Sequence, residues 1–259
     1  MSKNQSKQPC PIWFLGDNHG NFAHVIEQFQ AAREQGVTPH VVFLGDLECQ
    51  QPLALELKEI IGDADVWYIP GNHDTDSMQA WEHLATGELA SRNLHGQIRD
   101  VGGRSIAGLG GVFRSLVWAP PAAPNFDSYD DFRRKLKAKR PPRDWGLKET
   151  SKERLHLSTI FPDVVGSLGE KRANILVTHE APGCHEYGWS EINALAEKMG
   201  VGYVLHGHQH QTRFYQTETA YQVIGVGFCG IVELSADGSV SIVLPGDFDG
   251  QAANEPPKQ

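Results

Sequence analysis

Within its first hundred residues the chain passes three times through one pattern: a short apolar run, a polar turn, then apolar positions at helical spacing. The first passage is Ile12–Leu15, then Gly16-Asp17-Asn18-His19-Gly20, then Phe22, Val25, Ile26 and Phe29 at i, i+3, i+4 and i+7, with Gly36 as the stop. The second is 41–44, then Gly45-Asp46-Leu47-Glu48, with Pro52 at the first position of a helix carrying Leu53, Leu57, Ile60 and Ile61. The third is 66–69, then Pro70-Gly71-Asn72-His73-Asp74, then Met78, Trp81 and Leu84. Strands alternating with helices predict βαβ units and a parallel sheet. Further on, Ile175–Thr178 runs into His179, and 203–205 runs into His206-Gly207-His208-Gln209-His210. Between them Ser190 is placed to cap a helix bearing Ile192, Leu195 and Met199, closed by Gly200. From residue 220 the pattern predicts strands alone, at 221–226, Ile231–Leu234 and Val240–Leu244, the last two joined by a hairpin at Ala236-Asp237-Gly238.

Composition adds bounds. With 259 residues, 40% of them hydrophobic and 21% charged, the chain has enough apolar material for one α/β domain with a single large core. That domain is expected over 11–246, between flexible segments at 1–10 and 247–259. Residues 112–160 break the pattern. They hold five of the fifteen prolines and the basic stretch Arg133, Arg134, Lys135, Lys137, Lys139, Arg140 and Arg143, and read as an insertion over the core. No apolar run approaches the roughly 20 residues of a membrane span, and no apolar region follows Met1 as in a secretory signal. The four cysteines show no C-x-x-C spacing. A cytoplasmic protein with no membrane partner is the expectation. A net charge of −9 argues against a dedicated nucleic-acid coat, since phosphate backbones are bound by an excess of Lys and Arg. The basic stretch reads as a solvated face neutralised by Asp127, Asp130 and Asp131, with no aromatic interleaving for base stacking.

The chemistry lies in the turns. Ligands of an open α/β sheet bind at the carboxyl ends of its strands, and five predicted strands end there in Asp, Asn or His. Such loops converge Asp17, His19, Asp46, Asn72, His73, His179, His208 and His210. One such turn alone would simply cap a helix. Five in succession, with histidines that turn geometry does not require, indicate a site. Carboxylate, amide oxygen and imidazole suit divalent metals such as Mn²⁺, Fe, Zn²⁺ or Ni²⁺, and eight groups are too many for one ion. Gly16, Gly20, Gly45, Gly71 and Gly207 permit tight turns and close backbone approach. His206 reads as a packed strand residue and Cys184 as a buried thiol, with His185 near the site; His24, His40, His83, His95 and His156 read as surface or packing residues.

Taken together, G-D-x-H-G at 16–20, G-D at 45–46, G-N-H-D at 71–74, T-H at 178–179 and G-H-x-H at 207–210 resemble the calcineurin-like metallophosphoesterase superfamily. The resemblance implies an α/β fold of two stacked mixed β-sheets flanked by helices, with a two-metal centre at one edge. It implies one ion on Asp17, His19 and His210, another on Asn72, His179 and His208, and Asp46 bridging both, with Mn²⁺ the first choice of metal. Two divalent ions against Asp17, Asp46 and a bridging hydroxide leave a centre of net positive charge that attracts a phosphate ester. The implied reaction is hydrolysis of phosphate mono- or diesters by in-line attack of that hydroxide, with His73 stabilising charge or protonating the leaving oxygen.

Departures from relatives narrow the reading. Protein serine/threonine phosphatases and diadenosine-polyphosphate hydrolases continue the second motif as G-D-x-V-D/N-R-G, where this chain has Cys49 and Gln50. Gln50 offers no charged fork for a phosphate. Cys49 occupies the place of an aspartate that orients the catalytic histidine, so Glu48 or Asp74 is expected to orient His73 instead. A small phosphorylated substrate is favoured. The alternatives are a nuclease gripping its polymer through the basic stretch and, less favoured, a non-catalytic scaffold, which should have lost ligands where this chain retains them all.

Overall fold

A computed structural model describes residues 10–138 and 151–246. The segments 1–9 and 247–259, expected to be flexible, lie outside the described residues, as do Lys139, Arg140 and Arg143 of the basic stretch.

The strands form two sheets. The first contains β1 (Ile12–Leu15), β2 (His40–Phe43), β3 (Val66–Tyr68), β10 (Ile231–Leu234) and β11 (Val240–Leu244), in the order β11-β10-β1-β2-β3. β1, β2 and β3 are parallel, whereas β10 and β11 are antiparallel, joined by the predicted turn. The second contains β4 (Ile98–Val101), β5 (Arg104–Leu109), β6 (Ile175–Thr178), β7 (Tyr203–His206), β8 (Arg213–Tyr215) and β9 (Gln222–Gly225), in the order β4-β5-β6-β7-β9-β8. Both sheets are mixed.

Side-chain alternation explains why the sheets stack. Ile12, Phe14, Val42, Leu44 and Ile69 point one way and pack against Ile106, Ile175, Val177, Leu205 and Ile224 of the second sheet. Their neighbours Trp13, Leu15, Val41, Phe43 and Tyr68 point the other way, onto Val25 and Phe29 of α1 (Ala23–Glu34) and Leu53 of α2 (Leu53–Glu56). Leu109, Leu176, Val204 and Val223 form the far face of the second sheet. It is covered by Leu168 of α6 (Pro162–Gly169) and by Ile192, Leu195 and Met199 of α7 (Ser190–Met199). The result is a helix–sheet–sheet–helix sandwich, the fold class the motifs imply.

Local differences have local causes. The pair β4–β5 and the short edge strand β8 carry no apolar run long enough to announce them. β4 is exposed at Arg99 and Asp100 and buried at Val101 alone, and Gly102 and Gly103, both at positive φ, make its hairpin. α2 is a single α-helical turn with Pro52 at its cap rather than inside it, and Leu57, Ile60 and Ile61 continue as successive turns. α7 starts at Ser190 itself, whose hydroxyl donates to Glu191, so Trp189 rather than Ser190 stands at the cap. Gly200 closes it at φ 66° as expected. α3 (Met78–Ala85) is capped by Ser77, which accepts from the Ala80 amide at 2.9 Å.

The described parts of 112–160 are tied to each other at the two ends of the segment. The Val112 amide donates to Ser158 O at 3.0 Å, and the Ile160 amide donates to Val112 O at 3.0 Å. α4 (Tyr129–Ala138) and α5 (Ser151–Leu155) lie in this segment, and Val117, Phe132 and Phe161 form a small core of their own. On α4, Lys135 pairs with Asp131 at 2.9 Å and Arg133 with the buried Glu153 at 3.8 Å.

Candidate active site

All eight candidate residues stand in loops at the carboxyl ends of five strands, three from one sheet and two from the other. Asp17 and His19 follow β1, Asp46 follows β2, Asn72 and His73 follow β3, His179 follows β6, and His208 and His210 follow β7. The backbone there is unusual. Six non-glycine residues have positive φ among the described residues, and four of them are His19, Asp46, His208 and His210. A left-handed conformation at a residue with a Cβ costs energy, and such strain concentrates where a loop is held for its side chain. Two glycines allow the loops to touch. A Cβ on Gly45, at φ 105°, would lie 2.4 Å from His179 Nδ1, and one on Gly71 would lie 2.2 Å from Asp46 Oδ1.

The side chains fall into two adjoining groups, Asp17 with His19 and His210, and Asp46 with His179 and His208. Within each group, ligand-type atoms lie within 4.8 Å of one another. Asn72 joins the second group, its Oδ1 3.0 Å from His179 Nε2. The groups touch where His179 Nδ1 stands 3.8 Å from Asp17 Oδ1. Backbone amides orient the carboxylates. The His208 amide donates to both oxygens of Asp17 at 3.1 and 2.9 Å, and the His73 amide donates to Asp46 Oδ1 at 2.7 Å. That leaves Asp46 Oδ2 facing His179 Nε2 at 3.4 Å.

Partners outside the groups set the tautomers. His179 Nδ1–H donates to Leu44 O at 2.8 Å, which turns Nε2 toward Asn72 and Asp46. His19 Nδ1–H donates to Glu48 at 3.0 Å, which turns Nε2 toward His210 Nε2, 3.3 Å away. A carboxylate or carbonyl behind a histidine is the usual way of aiming a metal ligand. Burial opposes charge on His179, yet Asp46 and Asp17 outweigh it and raise its pKa to about 10, as expected where two buried carboxylates attract positive charge. Burial and then the charge of His179 push His208 down to about 3, so it offers a lone pair rather than a proton. This donor set of carboxylate, amide oxygen and imidazole fits divalent ions of the hard-to-borderline kind, and the positive charge its buried carboxylates draw onto His179 is the charge an ion would supply.

His73 stands at the open side, 44% exposed, in a 3₁₀ turn spanning His73–Thr75. Its hydrogen-bond partner is Asp76, and Glu48, one of the two residues expected from the sequence, stands within ion-pair distance. Nδ1–H donates to Asp76 at 2.7 Å, and Glu48, 3.7 Å away, is committed to His19. Asp74 is buried and ties two loops together, accepting from the amides of Glu48 and Gly71 at 2.8 Å each. Burial lowers the pKa of His73, but Asp46 and Asp76 more than compensate and raise it. Cys49 points into the core beneath the helices, and Gln50 turns back onto Glu48 O at 3.1 Å.

Other polar residues separate cleanly. His206 is buried in β7, donates to Gly207 O at 2.9 Å and packs against Tyr215. His185 lies beside it, and Cys184 is half-buried. His40, His83 and His95 hold local hydrogen bonds, and His24 contacts Asn18. His156 is buried against Phe132, a packing residue as read, and it also lines a cleft of about 570 Å³ that opens onto Asn72 and His208. The same cleft contains Arg114 and Glu180, which the sequence reading did not single out. The available signal was Leu109-Gly110-Gly111, one more strand ending in a glycine turn, just ahead of Arg114.

Residues 10–212 match the model of the calcineurin-like phosphoesterases, and the chain belongs to that family of hydrolases acting on phosphate esters. An uncharacterized protein of Haemophilus influenzae is 36% identical over 228 residues, covering 86% of this chain and 93% of its own. Among solved structures, TT1561 of Thermus thermophilus superposes with a TM-score of 0.59 at 16% identity, over 91% of this chain and 99% of that one. A 5'-nucleotidase of Candida albicans gives 0.50 at 11% identity, over 91% of this chain and 50% of the nucleotidase. At these identities the structural likenesses establish the fold. No helix among the described residues is long and apolar enough to cross a membrane.

Proposed function

We propose that this chain, with 11–246 as its catalytic domain, hydrolyses phosphate esters of small molecules at a pair of divalent ions. Asp17, His19 and His210 would hold one ion, Asn72, His179 and His208 the other, and Asp46 would lie between them, with Mn²⁺ the first choice. The observation that carries this reading is the pair of adjoining groups, Asp17–His19–His210 and Asp46–His179–His208, each with its ligand-type atoms gathered within 4.8 Å. Ions so held supply Lewis acidity toward water and the phosphoryl oxygens.

The chain's own residues do the rest. Backbone amides of residues 73 and 208 hold the two carboxylates in place before any substrate arrives. Leu44 O and Glu48 keep His179 and His19 aimed, so little reorganisation accompanies binding. His73, with Nδ1 anchored on Asp76, has its other nitrogen available at the open side to hand a proton to the leaving oxygen.

Elemental analysis of purified, metal-loaded protein tests the reading, together with turnover of aryl and alkyl phosphate mono- and diesters under several divalent metals. Two equivalents per chain and hydrolysis are expected. Asp46→Asn should lose more activity than Asp17→Asn, because only Asp46 is proposed to meet both ions. One equivalent or none, with folding intact, overturns it.

A further inference from the structure

The cleft beside the two groups has a composition the hydrolytic centre does not need. Asn72 and His208 belong to its lining, so it is continuous with the place where the phosphoryl group would sit. Its volume of about 570 Å³ lies in the range of small-molecule pockets, roughly 300–1,000 Å³. Seven large hydrophobic side chains are exposed among the described residues, and three of them rim this one cleft: Leu116 at 55%, Tyr187 at 51% and Leu155 at 36%. Exposed apolar side chains gathered around a concavity mark a binding surface rather than chance. The wall behind them is aromatic, with the rings of Phe113 and Trp189 centred 4.8 Å apart.

The cleft also has one built polar device. Arg114 Nε–H donates to Thr159 Oγ1 at 3.1 Å, and Nη2 lies 3.5 Å from Ser158 Oγ. Because Thr159 Oγ1 accepts from Arg114, its own hydrogen is free for His156 Nδ1, 3.0 Å away, which matches a neutral His156. Both hydroxyls orient the guanidinium; Asp76, Glu180 and Asp46 act on it electrostatically, but none forms an ion pair with it within 4.0 Å among the described residues. The acid that shares the cleft, Glu180, is buried and accepts from the Phe113 amide at 3.2 Å. A guanidinium held by two hydroxyls, with no ion pair of its own among the described residues, beside a proposed phosphoryl site matches a phosphate in charge and in geometry. Gln50, turned back onto Glu48, offers nothing of the kind.

Resting on the hydrolase reading above, we propose that this cleft receives the alcohol portion of the substrate, favouring esters whose alcohol carries a flat ring, while Arg114 grips the phosphoryl oxygens. The ring would slide between Tyr187 and Leu116 against the Phe113–Trp189 wall.

Non-hydrolysable probes separate this proposal from the hydrolase reading. Calorimetric titration of the metal-loaded full chain should show 1-naphthylmethylphosphonate binding about tenfold or more tighter than methylphosphonate, from the apolar area the ring removes from water. Leu116→Ser and Tyr187→Ser alter exposed side chains, so folding is retained, and each should cut that ratio to about threefold or less. Arg114→Ala should weaken both probes by about tenfold or more, and Arg114→Lys by less, since it keeps the charge without the fork. Equal binding of the two phosphonates, or a ratio unchanged in both rim variants, overturns the cleft assignment. An Arg114→Lys protein that folds and binds both probes as the natural chain does overturns the role of Arg114. Two bound ions with no turnover of any ester would overturn the hydrolase reading instead, leaving the phosphonate ratio to stand or fall separately.

Discussion

His73 acts through a partner three residues further along the same turn. With Nδ1 anchored on Asp76 at 2.7 Å, its other nitrogen has a fixed direction. His73→Ala is expected to keep its metals, since His73 is outside both ligand groups. It should lose about 10²–10⁴-fold on alkyl esters, whose leaving oxygens need a proton, and far less on activated aryl esters. Asp76→Asn should show the same leaving-group dependence at smaller amplitude; equal losses on both ester types would assign His73 to charge stabilisation alone. His156 carries a stability prediction of a different kind. Burial, reinforced by the charge of Arg114, holds its pKa down at about 4, against an ordinary 6.5 in the unfolded chain. Between those values the unfolded chain takes up a proton that the folded chain refuses, so stability is full above pH 6.5 and falls as pH drops toward 4. The loss from this one group is bounded at roughly 3 kcal/mol. His156→Gln, whose amide oxygen can still accept from Thr159, should flatten the fall in urea midpoint between pH 7 and 4.5. Parallel curves for the two proteins would contradict it.

At the level of elements, the site depends on loops from different strands pressed backbone to side chain. The β2 loop passes so close to the β3 and β6 loops that Gly45 has no room for a methyl group: Gly71 Cα stands 2.8 Å from where its Cβ would be. Gly45→Ala is expected to cost about 2 kcal/mol or more, from strain at φ 105° and displacement of His179, and to lower metal stoichiometry. Gly62→Ala supplies the control. Nothing lies within 4 Å of its Cβ and its φ is not positive, so stability should be unchanged or rise by about 0.4–1 kcal/mol. Chemical denaturation with metal analysis checks both. The same scale shows where periodicity fails as a guide. β1, β2 and β6 are buried on both faces and read as unbroken apolar runs. β4 gives each face one apolar residue, Val101 toward the space between the sheets and Ile98 toward the far face, with the exposed Arg99 and Asp100 between them, so its pairing with β5 is legible only once β6 is in place beside them.

On the scale of the whole molecule, the candidate ligands come from both sheets. Asp17, Asp46 and Asn72 follow strands of the first, whereas His179, His208 and His210 follow strands of the second. Ions held by both would therefore brace the sandwich at one edge. Any ligand that binds only the folded state stabilises it by mass action, about 2.7 kcal/mol at a hundred times its dissociation constant. Thermal unfolding should shift upward on adding Mn²⁺ and reverse with a chelator. Asp46→Asn should abolish most of that shift, and a metal-independent midpoint in the natural chain would contradict the proposed centre.

The sequence alone determined the three strand–turn–helix repeats, the strand-terminal positions of Asp17, His19, Asp46, Asn72, His73, His179, His208 and His210, and the kind of ion they suit. These are local properties: apolar runs, turn residues at fixed offsets, and the chemistry of the side chains themselves. Only the tertiary structure decided that Glu48 serves His19, that Asp76 rather than Glu48 or Asp74 is the hydrogen-bond partner of His73, and that Asp74 ties two loops together. Each depends on side-chain direction at positive-φ or 3₁₀ positions, where adjacency in sequence does not give adjacency in space. Arg114 and His156 depend on more. They meet through Thr159, which the Val112–Thr159 bridge brings beside them across more than forty residues of chain, and periodicity carries no information about contacts made at that separation.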